Sequence, residues 1–289
     1  MIVSLLYKSN CELGEGPMWH IERKSFFWVD IYGKAFYEYN WQSGDIRRWQ
    51  LDLQVSLVVE NKDDNLILGT ENGLAAFDLQ TETAKWLLNI EKDISTNRSN
   101  DGACDASGRL WMGTMARDFA KGQGSLYCID KNFSVTKKLD NITISNGLRW
   151  SLDNKRMYFI DTPAQCVQSF LFDVETGNIK FEKVVIEIDR QTGSPDGMAI
   201  DEEGMLWIAQ WNGFGVYRWN PSTGKLLSKI TLPVPQVSSC VFGGENLDYL
   251  FITTAHENMS DDEFKKYPDS GNVFIALPGV KGIPAFKFG

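Results

Sequence analysis

Histidine is almost absent from this chain. His20 and His256 are the only two in 289 residues, and they lie far apart in sequence. That scarcity excludes histidine-rich metal sites and weakens any scheme in which an imidazole activates a serine or cysteine nucleophile. Both are expected at the surface or in supporting positions. Cysteine is sparse too: Cys11, Cys104, Cys128, Cys166 and Cys240 are odd in number, widely spaced and form no C-x-x-C pair. A disulfide framework or zinc–thiolate site is therefore not expected, whereas buried thiols in a reducing cytoplasm are. Positive charge is also short. Lys and Arg total 29 against 38 Asp and Glu, a net charge of −9, and basic residues never cluster beyond adjacent pairs. Phosphate binding needs clustered positive charge, so nucleic acid and anionic membrane are excluded as partners. No uninterrupted apolar run exceeds five residues, far too short for a membrane-spanning helix. The opening MIVSLLYKSN lacks the basic and long apolar segments of a secretion signal and reads as a strand.

What the chain does have is a repeat. A short aromatic or aliphatic strand recurs as KSFFWVD (24–30), DNLILGT (64–70), SGRLWMGT (107–114), DNKRMYFID (153–161), EGMLWIA (203–209) and LDYLFITT (247–254). The spacing of roughly 40 to 50 residues is that of propeller blades. A second strand follows each, often running into Gly-containing polar turns such as NWQSGD and NPSTGK. A third precedes each: GEGPMWH (14–20), VSLVVEN (55–61), NDGACD (100–105), NGLRWS (146–151), DGMAID (196–201) and VSSCVFG (237–243). Six units of about four strands, with no convincing amphipathic helix, predict an all-β, six-bladed β-propeller spanning 1–289 as one domain. The N-terminal strand is expected to complete the last blade, and the tryptophans to pack between blades.

In such a ring the innermost strand of every blade lines the central channel, so one position per repeat converges at one mouth. Aligned on their glycines, Glu15, Asp101, Asn146 and Asp196 share that position, with Ser56 and Ser238 as looser occupants of the other two blades. Taken singly, the Asn-Gly and Asp-Gly pairs are ordinary turn dipeptides. Their shared register instead favours the channel. Carboxylates buried so close repel unless a cation neutralises them, which predicts a divalent metal at one mouth. Oxygen ligands favour Ca²⁺, Mg²⁺ or Mn²⁺, with Zn²⁺ and Fe²⁺ kept in the set. Glu15 and Asp196 would balance its charge, and Asn146 would add a neutral oxygen. Three protein ligands leave positions open for water and substrate, the arrangement of a catalytic site.

The segments GEGPMWH, NRSNDGACDASGRLWMGTM, GSLYCID, ITISNGLRWS, GSPDGMAIDEEGMLWIAQW and the tail PDSGNVFIALPGVKGIPAFKFG resemble, in order and over nearly the whole chain, the sugar-lactonase family of regucalcin (senescence marker protein 30), gluconolactonase and luciferin-regenerating enzyme. The resemblance implies a six-bladed propeller with Glu15, Asn146 and Asp196 as metal ligands. It implies Arg98 and Asn100 as substrate contacts and places Asp101 behind the ligands. The family's further substrate-binding acid, a Glu in regucalcin, falls here on Asp118. The stretch 116–123 that carries it is shorter than in regucalcin, which implies a more open pocket.

The expected activity is hydrolysis of an aldonolactone to its aldonic acid, with Asp196 as the base that moves the proton of the attacking water. A non-catalytic calcium-binding or regulatory propeller is the alternative, as is a metal-dependent esterase acting on another lactone or an organophosphate. The expected partner is a small sugar lactone, and the expected state a monomer or weak homo-oligomer in the cytoplasm.

Overall fold

Strand propensity and hairpin chemistry organise this chain into six four-stranded antiparallel sheets, as the repeat predicts. The computed structural model describes residues 2–63 and 65–289. Blades 1 to 5 occupy 14–50, 55–89, 97–142, 145–187 and 194–231, each running from an inner to an outer strand by successive hairpins. Blade 6 takes three strands from 237–276, and Val3–Tyr7 supplies its outer strand by pairing with Val273–Ala276. The first and last parts of the chain are thereby sewn into one sheet.

The six innermost strands contact one another in sequence, and Gly14–His20 of blade 1 touches Val237–Gly243 of blade 6, so the ring closes. The apolar core lies between blades. Six buried clusters occupy the six blade interfaces, for example Phe27, Val58 and Phe77 between blades 1 and 2, and Trp207, Val237 and Phe274 between blades 5 and 6. Trp28, Trp111 and Trp207, each on the second strand of its blade, are completely enclosed. Burying such side chains stabilises the ring by about 1.5–3 kcal/mol each, before the entropy of ordering is set against it.

Two blades share a further device. Asp105 and Asp201 are fully buried in the first hairpins of blades 3 and 5. Asp201 Oδ1 accepts from the backbone N–H groups of Glu203 and Met205, and Oδ2 from Trp207 Nε1 and Arg218 Nε at 2.9 and 2.8 Å. Asp105 repeats this with Ser107, Arg109 and Trp111. The sequence D-x-x-G-x-L-W thus folds around one carboxylate, whose charge is balanced by an arginine and whose lone pairs are filled.

The inner strands begin at one face of the ring and end at the other. At the end face, residues 277–289 run as a strap. Gly282 donates its N–H to Leu247 O, Phe288 to Glu60 O and Gly289 to Gly108 O, tying blades 6, 2 and 3 together, and Gly282 also bridges Asp201 of blade 5. Outside the strands, the helix Asp261–Lys266 is closed by a capping box between Ser260 and Glu263 and stands at the opposite mouth. Among the described residues no helix is long and apolar enough to cross a membrane.

Candidate active site

The six inner strands all break register near their first residues. The irregularities fall between Glu15 and Met18, Val55 and Leu57, Ser99 and Gly102, Asn146 and Leu148, Pro195 and Met198, and Val237 and Ser239. A bulge re-aims side chains, and here it does so at one level around the whole ring. The glycines after Asn146 and Asp196 have a packing role, not a turn role. A Cβ on Gly147 would lie 2.7 Å from Asp196 O, and one on Gly197 would overlap the Ser239 side chain. Only glycine lets neighbouring inner strands approach that closely. Asn-Gly and Asp-Gly therefore sit inside strands here.

Glu15, Asn146 and Asp196 line a cavity of about 570 Å³ at the starting face, together with Arg98 and Asn100. All five are buried, at 3–7% exposure. A hydrogen-bonded chain fixes them. Arg98 Nη1 donates to Asn100 Oδ1 at 2.6 Å, and Asn100 Nδ2 donates to Ser145 O at 2.8 Å and Asn146 Oδ1 at 3.1 Å. Asn146 Nδ2 donates to Thr162 Oγ1 at 2.9 Å, whose own proton goes to Pro195 O. Thr162 thereby fixes which way the Asn146 amide faces, a role absent from the sequence expectation. Asn100 is engaged on both sides of its amide, so it positions Asn146 and Arg98 as much as it faces the cavity.

The electrostatics are strained. Burial, then repulsion from Asp101, pushes the Glu15 carboxyl up to about 8. Burial, then Glu15, Asp101 and Glu257, raises Asp196 well above the usual carboxylate range. Asp196 Oδ1 is moreover buried with no hydrogen-bond partner. Two crowded carboxylates, one orphaned oxygen and an oriented amide oxygen form an all-oxygen donor set that fits a hard divalent cation.

The other expected residues lie elsewhere. Asp101 faces a second, smaller cavity of about 100 Å³ deeper in the channel, with Arg149 and the strap residues Ile283 to Phe286. Burial raises its carboxyl, and Arg149 opposes the shift. Ser56 and Ser238 bond to Ser99 and to Gly14 O, outside the upper cavity. Asp118 is exposed and accepts the Ala120 N–H at 3.1 Å; its neighbour Phe119 lines the cavity and Asp118 does not. Glu257, Gln236 and Thr162 do line it, and register among the inner strands did not reach them because all three stand outside those strands.

His20, expected at the surface or in a supporting role, is fully buried at the far end of the first inner strand. Its ring nitrogens stand 3.7 and 3.6 Å from Glu22 and Glu60. These three side chains could group around an ion. Lys287 of the strap already brings its ammonium against both carboxylates, however, so the chain supplies its own cation there. All five cysteines are free and buried, and burial pushes their thiols up, which makes them inert packing groups.

Comparison with known proteins fits this geometry. The family model described as SMP-30/Gluconolactonase/LRE-like region matches residues 13–256. Regucalcin of Oryctolagus cuniculus is 36% identical over 292 residues, covering 99% of this chain and 98% of that protein. Regucalcin of Gallus gallus is 36% identical, covering 96% and 94%. Among solved structures, a luciferin-regenerating enzyme superposes with a TM-score of 0.93 at 32% identity, covering 99% of both chains. A calcium-binding protein, regucalcin, from Agrobacterium tumefaciens superposes with 0.94 at 30% identity, covering 99% and 96%. The chain belongs to the SMP-30/gluconolactonase/luciferin-regenerating-enzyme family.

Proposed function

We propose that this protein is a metal-dependent lactonase that opens a sugar lactone to its aldonic acid. The observation that carries the reading is the buried, unpartnered Oδ1 of Asp196, a residue that lines, with Glu15 and Asn146, a cavity large enough for a small molecule. Glu15, Asn146 and Asp196 would hold the cation, which when bound supplies Lewis-acid polarisation of the lactone carbonyl and charge for the developing oxyanion. Asp196 takes a proton from the attacking water as the water oxygen bonds to the carbonyl carbon. It returns that proton to the ring oxygen as the acyl C–O bond breaks. Arg98, oriented by Asn100 and by the Ser99 carbonyl, holds ring oxygens and limits the face presented to water. Apolar residues at the rim, among them Met115, Phe119, Phe214 and Tyr267, limit water entry around the bound ring.

Proton release from glucono-1,5-lactone by chelator-stripped protein, with Ca²⁺, Mg²⁺, Mn²⁺, Zn²⁺ or Fe²⁺ restored singly, tests the reading. It predicts release well above the spontaneous rate with at least one ion, lost in Asp196→Asn. A flat response with every ion would overturn it. A second reading, a non-catalytic calcium-binding propeller, draws on the calcium-binding protein from Agrobacterium tumefaciens among the similar structures. The open cavity above the donor set and the buried arginine in it weigh towards catalysis.

A further inference from the structure

The reaction as derived leaves one buried acid of the cavity unused. Glu257 lies in the loop after Tyr249–Thr254 of blade 6, is 9% exposed and lines the cavity with Glu15, Arg98, Asn146 and Asp196. Its main chain is pinned by Gln236, whose Nε2 donates to Glu257 O at 2.8 Å. Burial raises its carboxyl, and the Tyr32 hydroxyl and the Arg98 guanidinium oppose that shift by favouring the ionised form; Arg98 Cζ stands 5.7 Å from the Tyr32 ring centre.

Two features say what this carboxylate is not. Its oxygens do not join those of Glu15 and Asp196 in a group with ligand atoms mutually within 4.8 Å, since among the described residues the group of that kind is His20, Glu22 and Glu60. Glu257 is therefore not gathered with both acids, although its charge reaches each of them. Nor is it a packing acid like Asp201, whose lone pairs are filled by N–H donors. Arg98 itself comes from blade 3, opposite blade 6 in the ring, and its Nε is buried without a hydrogen-bond partner.

We propose that Glu257 and Arg98 form an acceptor–donor pair that reads the ring hydroxyls of a polyhydroxylated lactone, with Glu257 the specificity-determining acceptor. An ionised carboxylate only accepts and a guanidinium only donates, so together they match the two faces of a hydroxyl group. A lactone without hydroxyls leaves the carboxylate desolvated and unmatched, and sites built to bind a hydroxyl discriminate strongly against analogues that lack it. Asp118, by contrast, is exposed and accepts the Ala120 N–H. The inference rests on the lactonase reading and names the substrate class it selects.

The test compares wild type, Glu257→Gln and Glu257→Ala on glucono-1,5-lactone and on δ-valerolactone, which has the same ring without hydroxyls. Calorimetric binding of 1,5-anhydro-D-glucitol, a ring polyol without the carbonyl, is measured alongside. The ratio of kcat/KM for the hydroxylated over the bare lactone is expected to fall about tenfold or more in Glu257→Ala, mainly through KM, and less in Glu257→Gln. Because it is a ratio, partial unfolding does not move it. An unchanged ratio, or polyol binding equal in wild type and Glu257→Ala, would overturn the inference. If wild type turned over neither lactone yet bound the polyol through Glu257, the lactonase reading would fall with the lactone as ligand, and only the hydroxyl-reading role of Glu257 would stand. Absence of both turnover and polyol binding would sink both.

Discussion

At the residue scale the site depends on groups outside the proposed donor set. Thr162 accepts from Asn146 and donates to Pro195 O, so it decides which atom of the amide points into the cavity. Thr162→Val keeps the shape and removes both bonds; cation affinity is expected to fall about tenfold, read by calorimetry, with the fold unchanged by circular dichroism. The acids make a second prediction. In the metal-free protein Glu15 keeps its proton up to about 8, whereas an unfolded chain releases it in the ordinary glutamate range. The folded state then binds more protons across that interval, so stability of the stripped protein falls as pH rises through it. A cation must displace those protons, so its affinity rises over the same interval and binding releases protons into the buffer. Equal heats in buffers of different ionisation enthalpy would contradict this. Glu15, Asn146 and Asp196 were legible because a repeat put them in register. Glu257 and Thr162 were not, because they lie outside the inner strands that the register compares.

At the scale of elements, six inner strands each place one bulge at the same level, and glycine at these positions lets neighbouring strands touch. The sequence carried this as x-Gly in four blades, which also reads as turn chemistry; the shared register of those four residues favoured the channel. Asp101 shows the limit of register arguments. Counting from its glycine equated it with Glu15, but Asn100 faces the upper cavity and Asp101 the lower one with Arg149. The buried-acid hairpins escaped notice because each reads locally as an ordinary D-x-x-G turn. Asp201→Ala strands the indole N–H of Trp207 and the guanidinium of Arg218. It is expected to cost about 3 kcal/mol in denaturant unfolding. A loss below about 0.5 kcal/mol, the range of an ordinary surface substitution, would show that the carboxylate is not what holds the hairpin.

At the scale of the whole molecule the two faces of the ring do different work. One carries the oxygen donors and the cavity; the other is tied shut by the strap, with Lys287 set against Glu22 and Glu60 and Phe288 buried between blades 2 and 3. Six blades, their order and the N-terminal strand in blade 6 follow from repeat and strand pattern, but a tail that is neither strand nor helix left no such trace. Phe288→Ala removes a side chain that is 4% exposed and is expected to cost about 3 kcal/mol of stability. It lies on the face away from the donors, so calorimetric cation affinity should hold; a large loss there would mean that the two faces are coupled. The central claim is that Glu15, Asn146 and Asp196 together bind a divalent cation. Calorimetric titration of Ca²⁺ and Mn²⁺ into chelator-stripped wild type and Asp196→Asn tests it most directly. The account predicts one ion per chain for wild type with at least one of the two metals and a loss of at least tenfold in affinity for the variant. Binding of equal strength in both proteins, or none in the wild type, would contradict it.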